Sequence, residues 1–531
     1  MSERVYLYDS TLRDGAQTLG VDFSVADKEA IARELDRLGI DYVEGGWPGA
    51  NPTDDAFFAN PPKLGLARLS AFGMTRRAGR SAANDPGLQA ILVPGIDAVT
   101  MVGKSWDFQV QVALGIELDE NLRMIADSIE HARTRVAEVM FDAEHFFDGY
   151  KDNRDYSLAC LKAAYDAGAR WIVLCDTNGG TLPHEVDEIV RSVTTLVPGS
   201  HLGIHCHDDT GNAVANSLTA VRAGVRQIQG TLNGLGERCG NANLVSILPT
   251  LVLKMGYTTG VPPEQLHRLT AVSRMVDERL NRAPDRGAPY VGERAFAHKG
   301  GLHASAVEKN PRCYEHVAPE AVGNQRRVLV SDQAGRSNIV NRLREMGIDI
   351  DPASPQITSL VDVVKQREYE GYAYDSAAAS FEILARRHLG KLGEYFRLKS
   401  FRVIVRRDDH GDDMSEATVK VLFSDCDQPM FEVAEGECGP VNALDAALRK
   451  ALRRYDQHLR DLRLVDYKVR IFTPRGAGDG TEAVTRVLIE SSDSSGDPWF
   501  TVGVSSNVID ASLDALLDSI TYKLYRDGVK A

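Results

Sequence analysis

A (β/α)8 barrel of the TIM type, followed by a small helical connector and a C-terminal duplicated βββα domain, is the α/β fold the sequence predicts. Three observations lead to it. Up to about residue 255, eight short apolar segments alternate with amphipathic helical ones. The stretch after the first segment reads DSTLRDGAQ, whereas an open doubly wound sheet carries GxGxxG there. From about Phe396 the order strand–strand–strand–helix occurs twice.

The strand segments are 5–8, 42–45, 67–72, 98–102, 138–141, 171–175, 202–206 and 227–230. Helical spacing of apolar residues marks 26–38, 156–167, 185–196 and 213–223 between them. Gly39, Gly168 and Gly224 sit just past three of these helices, where a C-terminal cap belongs. In a barrel, reactive groups stand at the C-terminal ends of the strands. The polar residues gather there: Arg13, Asp14 and Gln17, Trp47, Lys104, Asp142 and Glu144, Asp176 and Thr177, His205 and His207, then Asn233, Glu237 and Asn241. Residues 1–283 form the predicted catalytic barrel. Residues 284–395 form the connector, with helices at 338–346, 357–369 and 376–389; a helix at 262–282 leads into it. Residues 396–531 form the duplicated domain, in which Ala443, Ala447, Leu448 and Leu452 align with Ala511, Ala515, Leu516 and Ile520 at a constant offset.

Composition narrows the function. The chain of 531 residues carries a net charge of −14, which disfavours nucleic acid and anionic membranes as partners. There is no apolar signal core at the N-terminus and no uncharged run of membrane-spanning length. The seven cysteines form no CxxC, so a reducing, cytoplasmic location is expected.

The chemistry centres on LGIHCHDDTG, residues 202–211. His205 and His207 are two apart on a strand and share a face. Closing the barrel places the eighth strand beside the first, so that Asp14, the two histidines and Asn241 converge on one divalent cation. One carboxylate, two imidazoles and an amide oxygen leave coordination positions open, as a catalytic site requires. Small 2-oxo acids chelate such an ion, which polarises the ketone. Arg13 is placed to stabilise the developing alkoxide, or else to pair with Asp9 or Glu44. Thr177 either binds the substrate carboxylate or caps a turn. Asn241 is a ligand or the cap of a helix beginning at Ala242. Asp142 and Glu144 share a strand face, and one of them is a candidate proton acceptor.

YDSTLRDGAQ, HCHDDTGNAVANS and NGLGERCGNANL together resemble the metal-dependent 2-isopropylmalate, homocitrate and citramalate synthase family. The resemblance covers nearly the whole chain. The segment HKGGLHASAVEKNPRCYEHVAPEAVGNQRRVLVSDQAGRSN is closest to the branch that condenses acetyl-CoA with pyruvate and hydrolyses the thioester, on a route to isoleucine. The resemblance implies Asp14, His205, His207 and Asn241 as ligands of Mg, Mn or Zn. It implies Arg13, Glu144, His303 and Tyr314 in catalysis, the last two from the partner subunit of a homodimer, and Arg13, Gln17 and Thr177 at the substrate. It also implies isoleucine as an effector of the C-terminal domain. Many relatives carry an acidic residue two positions after the connector histidine, where this chain has Ser305. A synthase acting on 2-oxoisovalerate or 2-oxoglutarate, an acyl-CoA lyase on the same barrel, and a non-catalytic sensor are the alternatives.

Overall fold

The computed structural model describes residues 3–280, 282–298, 301–328, 336–407, 413–426, 428–436, 438–472 and 483–530. The chain divides into two compact units, Met1–Phe296 with His316–Arg326, and Ala297–Glu315 with Arg327–Ala531.

The first unit contains a closed parallel barrel: β1 (Tyr6–Asp9), β2 (Tyr42–Gly46), β3 (Arg68–Met74), β4 (Ala98–Lys104), β5 (Glu138–Glu144), β6 (Trp171–Asp176), β7 (Leu202–Cys206) and β8 (Gln227–Gly230). The barrel closes by pairing β8 with β1, from Tyr6 opposite Gln227 to Asp9 opposite Gly230. Strands β3 to β6 run past their predicted ends, to Met74, Lys104, Glu144 and Asp176. Ladder hydrogen bonds join backbone to backbone, so a polar side chain at the mouth does not end a strand.

The interior is filled rather than hollow. Tyr8, Tyr42, Met140, Trp171 and Val173 form its core, and Trp171 Nε1 donates to the Tyr42 hydroxyl at 3.1 Å. The outer helices cover the other strand faces. The first, Val25–Leu38, starts at a capping box: Ser24 Oγ accepts from Asp27 N–H at 3.2 Å, and Ser24 N–H donates to Asp27 Oδ2 at 3.1 Å. It ends at Gly39, whose φ of +100° suits glycine. Its buried Ile31, Leu35 and Leu38 belong to the main core, each contributing about 1.5–3 kcal/mol by burial. The predicted helix at 262–282 splits into a 3-10 stretch, Pro263–Arg268, and an α-helix, Leu269–Arg279.

The second unit begins with the short parallel pair β9 (Ala297–His298) and β10 (Arg327–Val328). Its helices are Gly301–Lys309, Arg336–Glu345, Pro355–Tyr369 and Ala378–His388. Two antiparallel three-stranded sheets follow. The first joins β11 (Arg397–Arg407), β12 (Asp413–Leu422) and β13 (Met430–Gly436), with the helix Pro440–Ala451. The second joins β14 (Arg463–Phe472), β15 (Val484–Ser492) and β16 (Trp499–Ser505), with the helix Val508–Arg526. The aligned residues Ala443, Ala447, Leu448, Leu452, Ala511, Ala515, Leu516 and Ile520 are all buried in one core. Residues 299–300 and 329–335 of the predicted connector lie outside the described residues.

Candidate active site

The mouth is built from the ends of the strands. After β1 the chain turns sharply, with Arg13, Asp14 and Gly15 N–H all donating to Ser10 O. The turn is tied across the barrel seam, because Thr11 Oγ1 accepts from Leu232 N–H at 2.8 Å. After β7 the chain pairs with the segment following β8: Ala242 N–H donates to Cys206 O at 2.9 Å, and His207 bridges to Asn241. These ties bring distant parts of the sequence to one point.

At that point stand Asp14, His205 and His207, with one donor atom from each lying within 4.8 Å of the others. They are 3%, 5% and 7% exposed, so water alone does not solvate them. Burial by itself would raise the Asp14 carboxyl, but Arg13 and the two imidazoles outweigh it and hold the carboxyl far below the usual range. Burial, with His205 adjacent, pushes the His207 imidazole down to about 4, so His207 is neutral at pH 7 and has a lone pair to give. Among the described residues, His207 Nδ1 and Asn241 Oδ1 are buried without a hydrogen-bond partner. A carboxylate, two imidazoles and unclaimed lone pairs fit a divalent cation.

Asn241 does not cap a helix. The helix Leu244–Thr250 is capped by Asn243, whose side chain accepts from Val245 N–H. Asn241 presents its amide nitrogen to Asp14 Oδ2 at 2.6 Å, and its oxygen faces Gly236, where a Cβ would lie 2.1 Å away. Ligation through that oxygen requires the amide to turn over.

Arg13 pairs with Glu44, not with Asp9. Its Nε donates to Glu44 Oε2 at 2.8 Å, its Nη1 lies 3.5 Å from Asp14 Oδ1, and its guanidinium lies 3.8 Å from the centre of the Phe72 ring. Asp9 is occupied by the N–H and hydroxyl of Thr11. Glu44 is held in turn by the Tyr8 hydroxyl at 2.7 Å, which also meets Thr100 Oγ1 at 2.7 Å.

Glu144 is ion-paired with Lys104 from the neighbouring strand. Lys104 also lines a cavity of about 290 Å³ with Trp47, Met74, Leu114, Ile116 and Met124. Trp47 stands edge-on to Phe72 at 5.4 Å, and its backbone N–H donates to the buried Asp54, which pairs with Lys28. Asp142 lies deeper; burial pushes it up to about 7, and it accepts from Gln229 Nε2 at 3.0 Å. Thr177 Oγ1 accepts from His145 N–H at 2.8 Å, so it ties two mouth loops and keeps its own proton to donate. Gln17 is exposed on the turn Gly15–Gln17.

Two predicted members of the cluster serve the scaffold instead. Asp176 is bonded to Thr181 N–H and hydroxyl, and Asn233 exchanges hydrogen bonds with Ser273. His303 and Tyr314 belong to the second unit, where both are exposed and their rings stack at 4.1 Å. Sequence reasoning missed Gln229 and gave Glu44 no role beyond an alternative partner for Arg13. Both sit at inward-facing positions of short apolar strands, which was the available signal.

A barrel that gathers a carboxylate and two imidazoles beside an arginine at its mouth defines the class of metal-assisted enzymes. Comparison with known proteins narrows it. A family model described as HMGL-like matches residues 4–276. A homocitrate synthase post-HMGL domain-like model matches 290–370, and a LeuA allosteric (dimerisation) domain matches 375–524. The chain is 51% identical over 530 residues to an (R)-citramalate synthase of Aquifex aeolicus, covering 99% of each chain. It is 50% identical to one of Geobacter sulfurreducens, over 98% of each chain. A third, of Streptomyces coelicolor, is 47% identical over 100% of this chain and 98% of its own. The chain belongs to the (R)-citramalate synthase family. Among the described residues no helix is long and apolar enough to cross a membrane.

Proposed function

We propose that this enzyme is an acyltransferase that condenses acetyl-CoA with pyruvate and hydrolyses the thioester, giving (R)-citramalate and CoA for isoleucine synthesis. The observation that carries the reading is the convergence of Asp14, His205 and His207 beside Arg13. Asp14, His205 and His207 would hold a divalent cation, and Asn241 would add a fourth donor if its amide were turned over. Mg, Mn and Zn are the candidates, and two imidazoles favour the softer ions of that set.

When bound, the cation supplies Lewis acidity at the ketone of the 2-oxo acid. Thr177 donates its hydroxyl proton to the substrate carboxylate, and Gln17 contacts it from the rim. Glu144, held by Lys104, or a water held by His303 takes a proton from the methyl of acetyl-CoA. The enolate carbon then bonds to the ketone carbon, and the ketone π-electrons move onto its oxygen. Arg13, fixed by Glu44, stabilises that oxygen until it is protonated. Water finally cleaves the thioester and releases CoA. His303 and Tyr314 are assigned to catalysis as well. The match to an allosteric (dimerisation) domain supports a homodimer and an effector acting through the tail, for which isoleucine is the proposed ligand. Seven free cysteines suit a cytoplasmic location.

The test is thiol release from acetyl-CoA with pyruvate, 2-oxoisovalerate and 2-oxoglutarate, each with and without chelator, and with isoleucine added. Pyruvate should be the fastest acceptor, chelator should stop release and a divalent ion should restore it. Steady release without any 2-oxo acid, or a preference for 2-oxoisovalerate, would overturn the assignment.

A further inference from the structure

Beneath the mouth, three buried side chains from different strands form one hydrogen-bonded chain. Asp142 of β5, Gln229 of β8 and His205 of β7 are 3%, 1% and 5% exposed. Gln229 Nε2 donates to Asp142 Oδ1 at 3.0 Å, and Gln229 Oε1 lies 2.9 Å from His205 Nδ1.

The chemistry of these groups gives the chain a direction. The glutamine turns its NH2 toward Asp142 Oδ1 and its oxygen toward the imidazole. An amide oxygen only accepts, so His205 Nδ1 has to carry the ring proton. That leaves the lone pair on Nε2, the nitrogen 3.2 Å from Asp14 Oδ2. In the other tautomer Nε2 bears hydrogen, and the ring offers nothing to a cation from that side.

We infer that Gln229 and Asp142 are positioning residues that select the metal-binding tautomer of His205. The inference rests on the reading of Asp14, His205 and His207 as ligands. Neither Gln229 nor Asp142 need touch ion or substrate; their effect passes through one ring nitrogen. Partners of this kind commonly change metal affinity by about 10–100-fold.

The test is Mn2+ binding to the full chain, followed by electron paramagnetic resonance, with circular dichroism to verify the fold. Gln229→Met removes the acceptor and should weaken Mn2+ binding by about 10–100-fold. The double change Gln229→Glu with Asp142→Asn rebuilds the chain. Its carboxylate at 229 accepts the Nδ1 proton, its amide at 142 donates, and the charge is unchanged, so affinity should return to within about threefold of native. Should Gln229→Met fail to fold, Gln229→Met with Asp142→Leu makes the same comparison without stranding a buried polar group. Native affinity in the acceptor-less variants, or a rebuilt variant no tighter than they are, overturns the inference. If the native chain itself does not bind Mn2+, the ligand assignment falls and takes the inference with it.

Discussion

The barrel mouth and the duplicated tail fill their interiors in opposite ways. The mouth buries Asp14, Glu44, Asp142, His205 and His207. Asp14, Glu44, Asp142 and His205 each bond a side chain from another segment, while His207 Nδ1 is left without a hydrogen-bond partner. The tail buries Ala443, Ala447, Leu448, Leu452 and their repeats, with Lys523 held by Asp493 at 2.9 Å and Asp527 at 3.0 Å. In the mouth, the residues bearing function are few and the fold is carried by the strands beneath them. In the tail, the aliphatic residues are themselves the fold.

That contrast can be broken from either side. The largest expected effect is at the mouth: His205→Ala should abolish condensation while the melting profile in chelator stays close to native. Near-native turnover would refute the metal assignment. Next comes the tail, where Leu448→Ala opens a cavity beside the helix Pro440–Ala451 and should cost about 2–5 kcal/mol. Denaturant unfolding of the tail measures it, and Mn2+ affinity at the mouth should not change.

The smallest effect sharpens the comparison, because it concerns an ionisable group in the tail. Burial, opposed by Ser380 and Arg387, raises Asp518 to about 6. The folded chain therefore keeps a proton between about pH 4 and 6 that the unfolded chain has released. Stability from this group is present below about pH 4 and is lost as pH rises through 6, a change of at most about 3 kcal/mol. Thermal melts across that range should fall more steeply for the native chain than for Asp518→Asn. Parallel curves would show that Asp518 does not titrate there.

Much of this was legible in the sequence, for identifiable reasons. The β7 and β8 segments, 202–206 and 227–230, have the predicted bounds. The longer strands were cut short where Lys104 and Glu144 begin the polar mouth. The histidine pair is visible from its spacing alone. The partners of that pair are not, since Gln229 lies beside His205 on the next strand but meets Asp142 of β5 only after the sheet has curled shut. Asn243, not Asn241, caps the next helix, because Asn241 is drawn to Asp14 from the far end of the barrel sequence.

The seam between β1 and β8 has a consequence for how the protein matures. Asp14 is synthesised long before His205 and Asn241, and the Thr11–Leu232 tie forms only when the first and last staves meet. A nascent chain lacking β8 already holds Asp14, His205 and His207, the ligands proposed above, but not the closed ring that brings the first to the other two. Cation capture thus reports that the ring has been completed, and a fragment ending before Gln227 should remain unable to load however well its own helices form.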